Sequence, residues 1–474
     1  MPQAKTETFN LVRGLGSIAA ISIVIGNVVG QGVFLKARVM TCNVGTPGKV
    51  IGAWVAAGLL SLAGALTYAE LAAMMPRAGG EYVFVRDAYG SRLGFLYGWM
   101  QILIGKTGSQ ASLAVGFSIF LNILLGGILN FNLFTISIYG FNIPFGGLQL
   151  VGLGSILVLT AINCAAVSVS GFIAALLTVL KITMVIGIGV GAFFFASGDW
   201  THFAQSDSGG ICEGVSAGGR MGLGGFAAAM LGALWGYDGW NNLTLVAGEI
   251  KNPQRNIPRA LIGGMLVVAA LYIIANVAYF YVLSPTQVAN IPAQDSVATV
   301  VVGKFLGAGA VTIMAAALLC STFGSLHTSI LTGARVPYAM SRDGLLNKWV
   351  GRVSRRTRVP VTALILQGMW AGLLTLSGTY DSLTDYVIFA SWIFYGLATA
   401  SVFIFRRRMP DAVRPYRTWG YPVVPAIFLV VTTWLLISTI ITAPVKTLIG
   451  IGFIILGLPV YQILSRTRTI TKSA

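Results

Sequence analysis

The chain has 474 residues, 56% of them hydrophobic and only 9% charged, with a mean hydropathy of +0.81. No water-soluble core of this length needs that composition, so a soluble enzyme or nucleic-acid-binding domain is excluded and an all-α polytopic membrane protein is implied. The formal charge of +17 would suit nucleic acid in a soluble protein, but here the cations are sorted to one side of the membrane, where topology and anionic lipid heads account for them.

A spanning helix needs about 20 mostly apolar residues. On that rule twelve transmembrane helices are predicted, at 17–40, 48–75, 92–125, 148–168, 171–197, 223–249, 259–284, 301–333, 360–378, 383–405, 422–441 and 446–465. The first has no small-residue cleavage site and is followed by eleven more, so it reads as a retained helix. With the N-terminus inside, Lys5, Arg13, Arg77, Arg86, Arg92, Lys251, Arg255, Arg259, the run Arg335 to Arg358, Arg406 to Arg417, and Arg466, Arg468 and Lys472 are cytoplasmic. Only Lys36, Arg38, Lys49, Arg220, Lys304 and Lys446 fall outside, an asymmetry that places both termini (1–16 and 466–474) in the cytoplasm.

The first and sixth spans carry runs foreign to a membrane helix: Gly26-Asn-Val-Val-Gly-Gln-Gly32 and Trp235-Gly-Tyr-Asp-Gly-Trp-Asn241. Unwound backbone survives in lipid only where protein or a water-filled cavity satisfies its N–H and C=O groups. Laid over each other, residues 17–197 and 223–405 each open on their broken helix. Five spans per half is odd, so the second half is inverted, and the expected pocket lies at the bilayer midplane between the breaks. Residues 422–465 (helices eleven and twelve) lie outside the repeat and read as peripheral. The segments Pro76–Tyr82, Glu249–Pro258 and Arg335–Pro360 read, on composition, as connectors; an inner-gate role is the functional alternative.

In the first break Gly30, Gln31 and Gly32 precede the outer half-helix, so their N–H groups are the orphan donors of a helix N-terminus, suited to a carboxylate. Carbonyls near Val28, and around Trp235, Gly236 and Asp238 in the sixth span, suit an ammonium; a new helix is expected near Trp240. An α-amino acid matches both ends. Small-x-x-x-small packing of Gly26 and Gly30 explains the first break alone but not the pair. Asp238 has three readings: cap of the second half-helix, selector of a cationic substrate, or carrier of a coupling proton. Capping is preferred. Lys181 lies about 15 Å deep in a core of about 30 Å. An unpaired cation there costs at least ~2.5 kcal/mol, so broken-helix carbonyls and the hydroxyls of Ser321, Thr322 and Ser325 are its expected partners. Lys106 is expected to reach the outer interface. Phe34, Trp235, Tyr237 and Trp240 are candidate gates, Trp235 first because it directly precedes the break.

The cysteines have no metal-ligand spacing, and no metal or cofactor is expected. Cys164 and Cys320 read as packing residues; Cys42 and Cys212 both fall in external loops, where a bridge between them is open but not established by spacing. His327 reads as packing within span eight. No His-Glu-x-x-His, nucleophile elbow or aspartyl dyad suggests an enzyme, and no filter suggests an ion channel.

The ordered set Gly26–Phe34, Tyr68-Ala-Glu-Leu71 with Pro76–Tyr82, Gly236–Asn241, Glu249–Pro253 and Ser341–Gly344 resembles the amino acid-polyamine-organocation (APC) superfamily. The likeness is closest to its L-type amino acid transporter branch, with prokaryotic serine/threonine-exchanger-like members. The resemblance implies a five-plus-five inverted repeat (LeuT/APC fold) and alternating-access transport of amino acids. It puts the substrate carboxylate on the amides of Gln31 and Gly32, its amino group on the carbonyls of Val28, Trp235, Gly236 and Asp238, the proximal gate at Trp235 and a supporting amide at Asn241. It also implies that Lys181 stands in for a sodium ion. Residues 126–147 lack the cysteine by which animal relatives bond a glycoprotein, so no disulfide-linked heavy chain is predicted; Asp238, glycine in many animal relatives, leaves the substrate's charge class open. The expected function is sodium-independent exchange of neutral L-amino acids at the plasma membrane (the cell inner membrane in a bacterium), with proton-coupled symport as the alternative.

Overall fold

Where the first span should run on, α1 (Ser17–Val28) stops and α2 (Gly32–Val44) starts afresh three residues later. The computed structural model describes residues 13–472 apart from 139–140, 166–170, 207–209, 213–214, 216–219, 294, 358, 378–379 and 443. Lys5 and the rest of 1–12, residues 473–474, and the side chains of Lys446, Arg466, Arg468 and Lys472 lie outside the described residues. Gly45, left-handed at φ 75°, ends α2, and Pro47 opens α3 (Pro47–Met74). A turn leads to the short α4 (Glu81–Tyr89), where Gly80 (φ 47°) is forced: a Cβ there would come within 2.7 Å of the Thr244 backbone. The third span is α5 (Ser91–Met100), a π-helical turn over Gln101–Gly105, and α6 (Lys106–Leu124).

The loop that follows departs from the all-α expectation. Strands β1 (Asn132–Ile138) and β2 (Phe141–Gly146) form an antiparallel hairpin, with Phe134 stacked on Phe145. The Phe-Thr-Ile-Ser-Ile stretch is β-branched and alternating, a strand signal too short to register on a span search.

Helices α7 (Gly147–Ala165) and α8 (Gly171–Phe195) complete the first half. The sixth span breaks as expected but resumes differently: α9 (Gly222–Tyr237) gives way to a turn, and α10 (Asn242–Leu245) is one turn long and passes into a 3₁₀ turn at Ala247–Glu249. Then come α11 (Pro253–Val282), with Pro253 in its first turn, and α12 (Pro285–Ala289), opened by a Ser284/Gln287 capping box. Next are α13 (Val297–Gly333), interrupted at Gly307, α14 (Arg335–Arg342), α15 (Val361–Thr375) and α16 (Tyr380–Arg408). The last spans are α17 (Val423–Thr442), α18 (Pro444–Ile455) and α19 (Gly457–Lys472).

Among the described residues ten helical stretches are long and apolar enough to cross a membrane. The two other expected spans fall short for separate reasons: the sixth is cut after Tyr237, and α15 has 15 residues. Burial grades outward. Of the apolar window in Ser91–Leu124, 72% is inside the protein, against 28% for α17 and 17% for the final stretch, so the last two spans sit at the periphery. Cys42 of α2 and Cys212 are bridged, Cα atoms 5.7 Å apart.

Candidate substrate site between two helix breaks

The two interruptions face each other. Gly32 lies so close to Gly236 that a Cβ on Gly32 would come within 2.9 Å of the Gly236 nitrogen, and one on Gly236 within 2.5 Å of the Trp54 ring. Glycine at 32 lets the two backbones meet in this way, and glycine at 236 leaves room for Trp54 behind them. Between the breaks is a small cavity of about 30 Å³, lined by Val28, Gly30, Gln31, Gly32, Trp235 and Asp238 of the expected set. Asn27, Ser109, Leu113, Asn242, Ser325 and Ser329 also line it. A water needs roughly 10–15 Å³ of such space, so the cavity holds a couple of waters and must widen for an amino acid.

The donors and acceptors are partly those expected. Gln31 and Gly32 open α2, where first-turn amides lack intrahelical partners. Gly30 does not join them, because its N–H turns back onto the Val28 carbonyl (2.7 Å). The Gln31 side chain donates to Leu113 O (2.8 Å) and packs against Gly116, where any Cβ would overlap it. On the acceptor side, Trp235 O takes the Asp238 N–H (3.1 Å). The hydroxyl of Tyr272 on α11 lies 2.7 Å from Val28 O and 2.9 Å from Gly236 O. One phenolic proton is thus shared by two carbonyls, one from each broken helix. Tyr272 was invisible in the sequence, being one aromatic in an apolar span.

Three expected roles change. Asp238 does not cap α10, which has no side-chain cap; Asp238 ends α9 in extended backbone and its carboxylate accepts from Tyr395 (2.8 Å). Asn241, fully buried, points away from the cavity and donates to Glu81 (2.6 Å); neither it nor Gly236 lines the cavity, whereas Asn242 does. Lys181 meets Gly26 O (2.7 Å) and Ser325 Oγ (2.6 Å), not Ser321 or Thr322, which are buried elsewhere on α13. The broken-helix carbonyl and one of the three expected hydroxyls, that of Ser325, are thus its partners. Lys181 itself lines a second small cavity with Ser22, Asn27, Thr178 and Thr328, and reaches the lining of the first through Ser325.

Three cations lie deeper than their sequence positions suggested. Lys106 does not reach an interface: it is 6% exposed, donates to Asn242, and interacts electrostatically with Asp238 and Glu81. Lys36 and Arg38, counted as external, are 2% and 3% exposed inside the protein. Glu81 on α4 accepts from Tyr97 and Asn241; burial pushes its carboxyl up, against the pull of those two donors and Lys106.

The gate candidate Trp235 donates from Nε1 to the Tyr380 hydroxyl (2.8 Å), edge-on to its ring. On the opposite side of the molecule the three charged connectors are tied to one another. Gly79 N–H donates to Leu245 O (3.1 Å), Arg335 pairs with Glu249 (3.4 Å), and Tyr82 and Arg86 both engage Asp343. Gly14 and Leu15 add backbone bonds to Glu249 O (3.0 Å each). Burial and Asp343 push the Tyr82 hydroxyl well above its ordinary range, so it stays a donor.

Residues 15–463 match the family model for amino acid permeases. The chain is a member of the amino acid permease family. The permease is 32% identical over 460 residues to the serine/threonine exchanger SteT of Bacillus subtilis (strain 168), covering 96% of this chain and 98% of that one. It is 30% identical over 461 residues to the large neutral amino acids transporter small subunit 2 of Oryctolagus cuniculus (95% and 80% covered). It is 29% identical over 459 residues to the b(0,+)-type amino acid transporter 1 of Homo sapiens (96% and 88%). The resemblance carried by the motifs thus holds over nearly the whole chain.

Proposed function

We propose that the permease is a sodium-independent exchanger of neutral L-amino acids, working by alternating access in the plasma membrane with both termini cytoplasmic. The carrying observation is the polar cavity held between two helix interruptions, with amides on one side and carbonyls on the other. The relatives named as a serine/threonine exchanger and a large neutral amino acids transporter support both exchange and neutral substrates.

In this reading the substrate carboxylate docks on the amides of Gln31 and Gly32, aided by the α2 dipole. Its ammonium takes the Val28 and Gly236 carbonyls from the Tyr272 hydroxyl, with the Trp235 and Asp238 carbonyls nearby. The Lys181 ammonium supplies, between α1 and α13, the charge that a bound sodium ion would supply in a coupled carrier, so no such ion is required. Twelve spans are counted in this reading by taking α9–α10 and α15 as spans six and nine, with residues 17–197 and 223–405 as the two halves of a five-plus-five inverted repeat. Asn241 supports the site from behind through Glu81. In this reading no disulfide-linked heavy chain is bound: residues 126–147 hold no cysteine, and Cys42 is already bridged to Cys212.

Proton symport is the second reading, favoured by Asp238 lining the cavity with Glu81 and Lys106 in charge range. Labelled serine, leucine and alanine offered to proteoliposomes without sodium separate the two. Uptake confined to preloaded vesicles supports exchange. Uptake into empty vesicles that grows with an inward proton gradient establishes symport and overturns it.

A further inference from the structure

Lys36 lies one helical turn beyond Gly32 on α2 and is 2% exposed. Its ammonium donates to the Thr384 hydroxyl (2.7 Å) and sits 4.9 Å from the centre of the Tyr380 ring, both residues lying in the opening turns of α16. Tyr380 in turn accepts from Trp235, which lines the cavity. We propose that Lys36 is the latch of the gate on this side of the cavity, a positioning residue that draws the start of α16 onto α2 and thereby holds Tyr380 against Trp235.

The chemistry suits the task. An ammonium is a compact charge with three donors, so one group engages a ring face and a hydroxyl together. Cation–π attraction strengthens when water is excluded, as it is here. Gly32 and Lys36 are four residues apart and share a helix face, so the amides that meet the carboxylate and the latch move as one rigid piece. A substrate that fixes the first turn of α2 also fixes where Lys36 presents its charge to α16, and the gate closes only over an occupied site. Methionine matches the length of the side chain but engages neither Thr384 nor the ring.

The test uses the full chain in lipid nanodiscs, with Cys164 and Cys320 replaced by alanine and spin labels at Lys49 and Ser377, exposed residues in the first turn of α3 just after α2 and just before α16. Lys36→Met is expected to move at least half of the distance distribution to longer values, and Lys36→Arg to keep the parent distribution. Thr384→Val, which leaves the lysine in place, is expected to shift it less in the same direction and serves if Lys36→Met does not fold. Unchanged distributions in the folded variants overturn the latch. The kinetic arm rests on the carrier reading: in proteoliposomes Lys36→Met should change the serine KM measured from the two faces in opposite directions, threefold or more, with Lys36→Arg restoring both. Equal loss of kcat from both faces at constant KM marks a structural role and overturns the proposal. Absence of any amino acid exchange by the unmutated permease overturns the carrier reading, while the distances still judge the latch.

Discussion

Single side chains at the crossing of the two breaks have little room to vary. Gly32→Ala would drive a methyl into the Gly236 backbone, and neither neighbour is a flexible side-chain end. Misplacing a binding group by about 1 Å can cost roughly 100-fold in rate, so exchange in this variant is expected to fall by about that factor while surface labelling shows normal insertion. Lys181→Ala removes the link between Gly26 O and Ser325 and is expected to slow exchange at least about tenfold, near 1.4 kcal/mol; unaltered kinetics would remove the proposed ammonium role. Tyr272→Phe keeps the ring against Trp54 and loses only the bonds to Val28 and Gly236. Its KM for serine is expected to change, with thermal stability nearly unchanged, which a paired uptake and melting experiment would read. Gly32 and Lys181 stood out in the sequence because each violates a rule of lipid-embedded helices. Tyr272 did not, and neither the inward turn of Lys106 nor the choice of Ser325 over Ser321 was legible, because which face of a span turns inward depends on its rotation.

At the scale of elements, the contact of α3 with α16 and the connection to α17 turns on Glu70. Its buried carboxylate accepts from Arg406 (2.9 and 2.7 Å) and from the Thr418 amide (2.6 Å), with Arg414 at 3.4 Å. Glu70→Gln leaves two guanidinium groups without their anion; breaking a buried pair costs roughly 3–5 kcal/mol, and a clear drop in melting temperature in detergent is the expected result. Tyr68-Ala-Glu-Leu71 was legible as a motif, but Glu70 was not legible as a clamp, since Arg406 and Thr418 are more than 330 residues away in sequence. The β1–β2 hairpin marks the opposite case, a local alternation masked by a search tuned to spans of about 20 residues.

For the whole molecule, orientation is the property most directly tested. An impermeant amine reagent applied to intact cells should label Lys49 and spare Lys251, and the reverse pattern would invert the proposed topology. The Cys42–Cys212 bridge agrees with the proposed sidedness, since disulfides persist on the oxidising face of a membrane.

Composition and charge placement by themselves determined that this chain is a many-spanned membrane protein, and two runs of glycine and polar residues determined where its helices break. Both are local consequences of a solvent that cannot hydrogen-bond to backbone. The tertiary structure alone decided which oxygen meets Lys181, that Asp238 serves Tyr395 instead of a helix end, and that Lys36 turns inward to α16. Each of these rests on helix rotation and on pairs hundreds of residues apart, fixed by packing across the whole bundle.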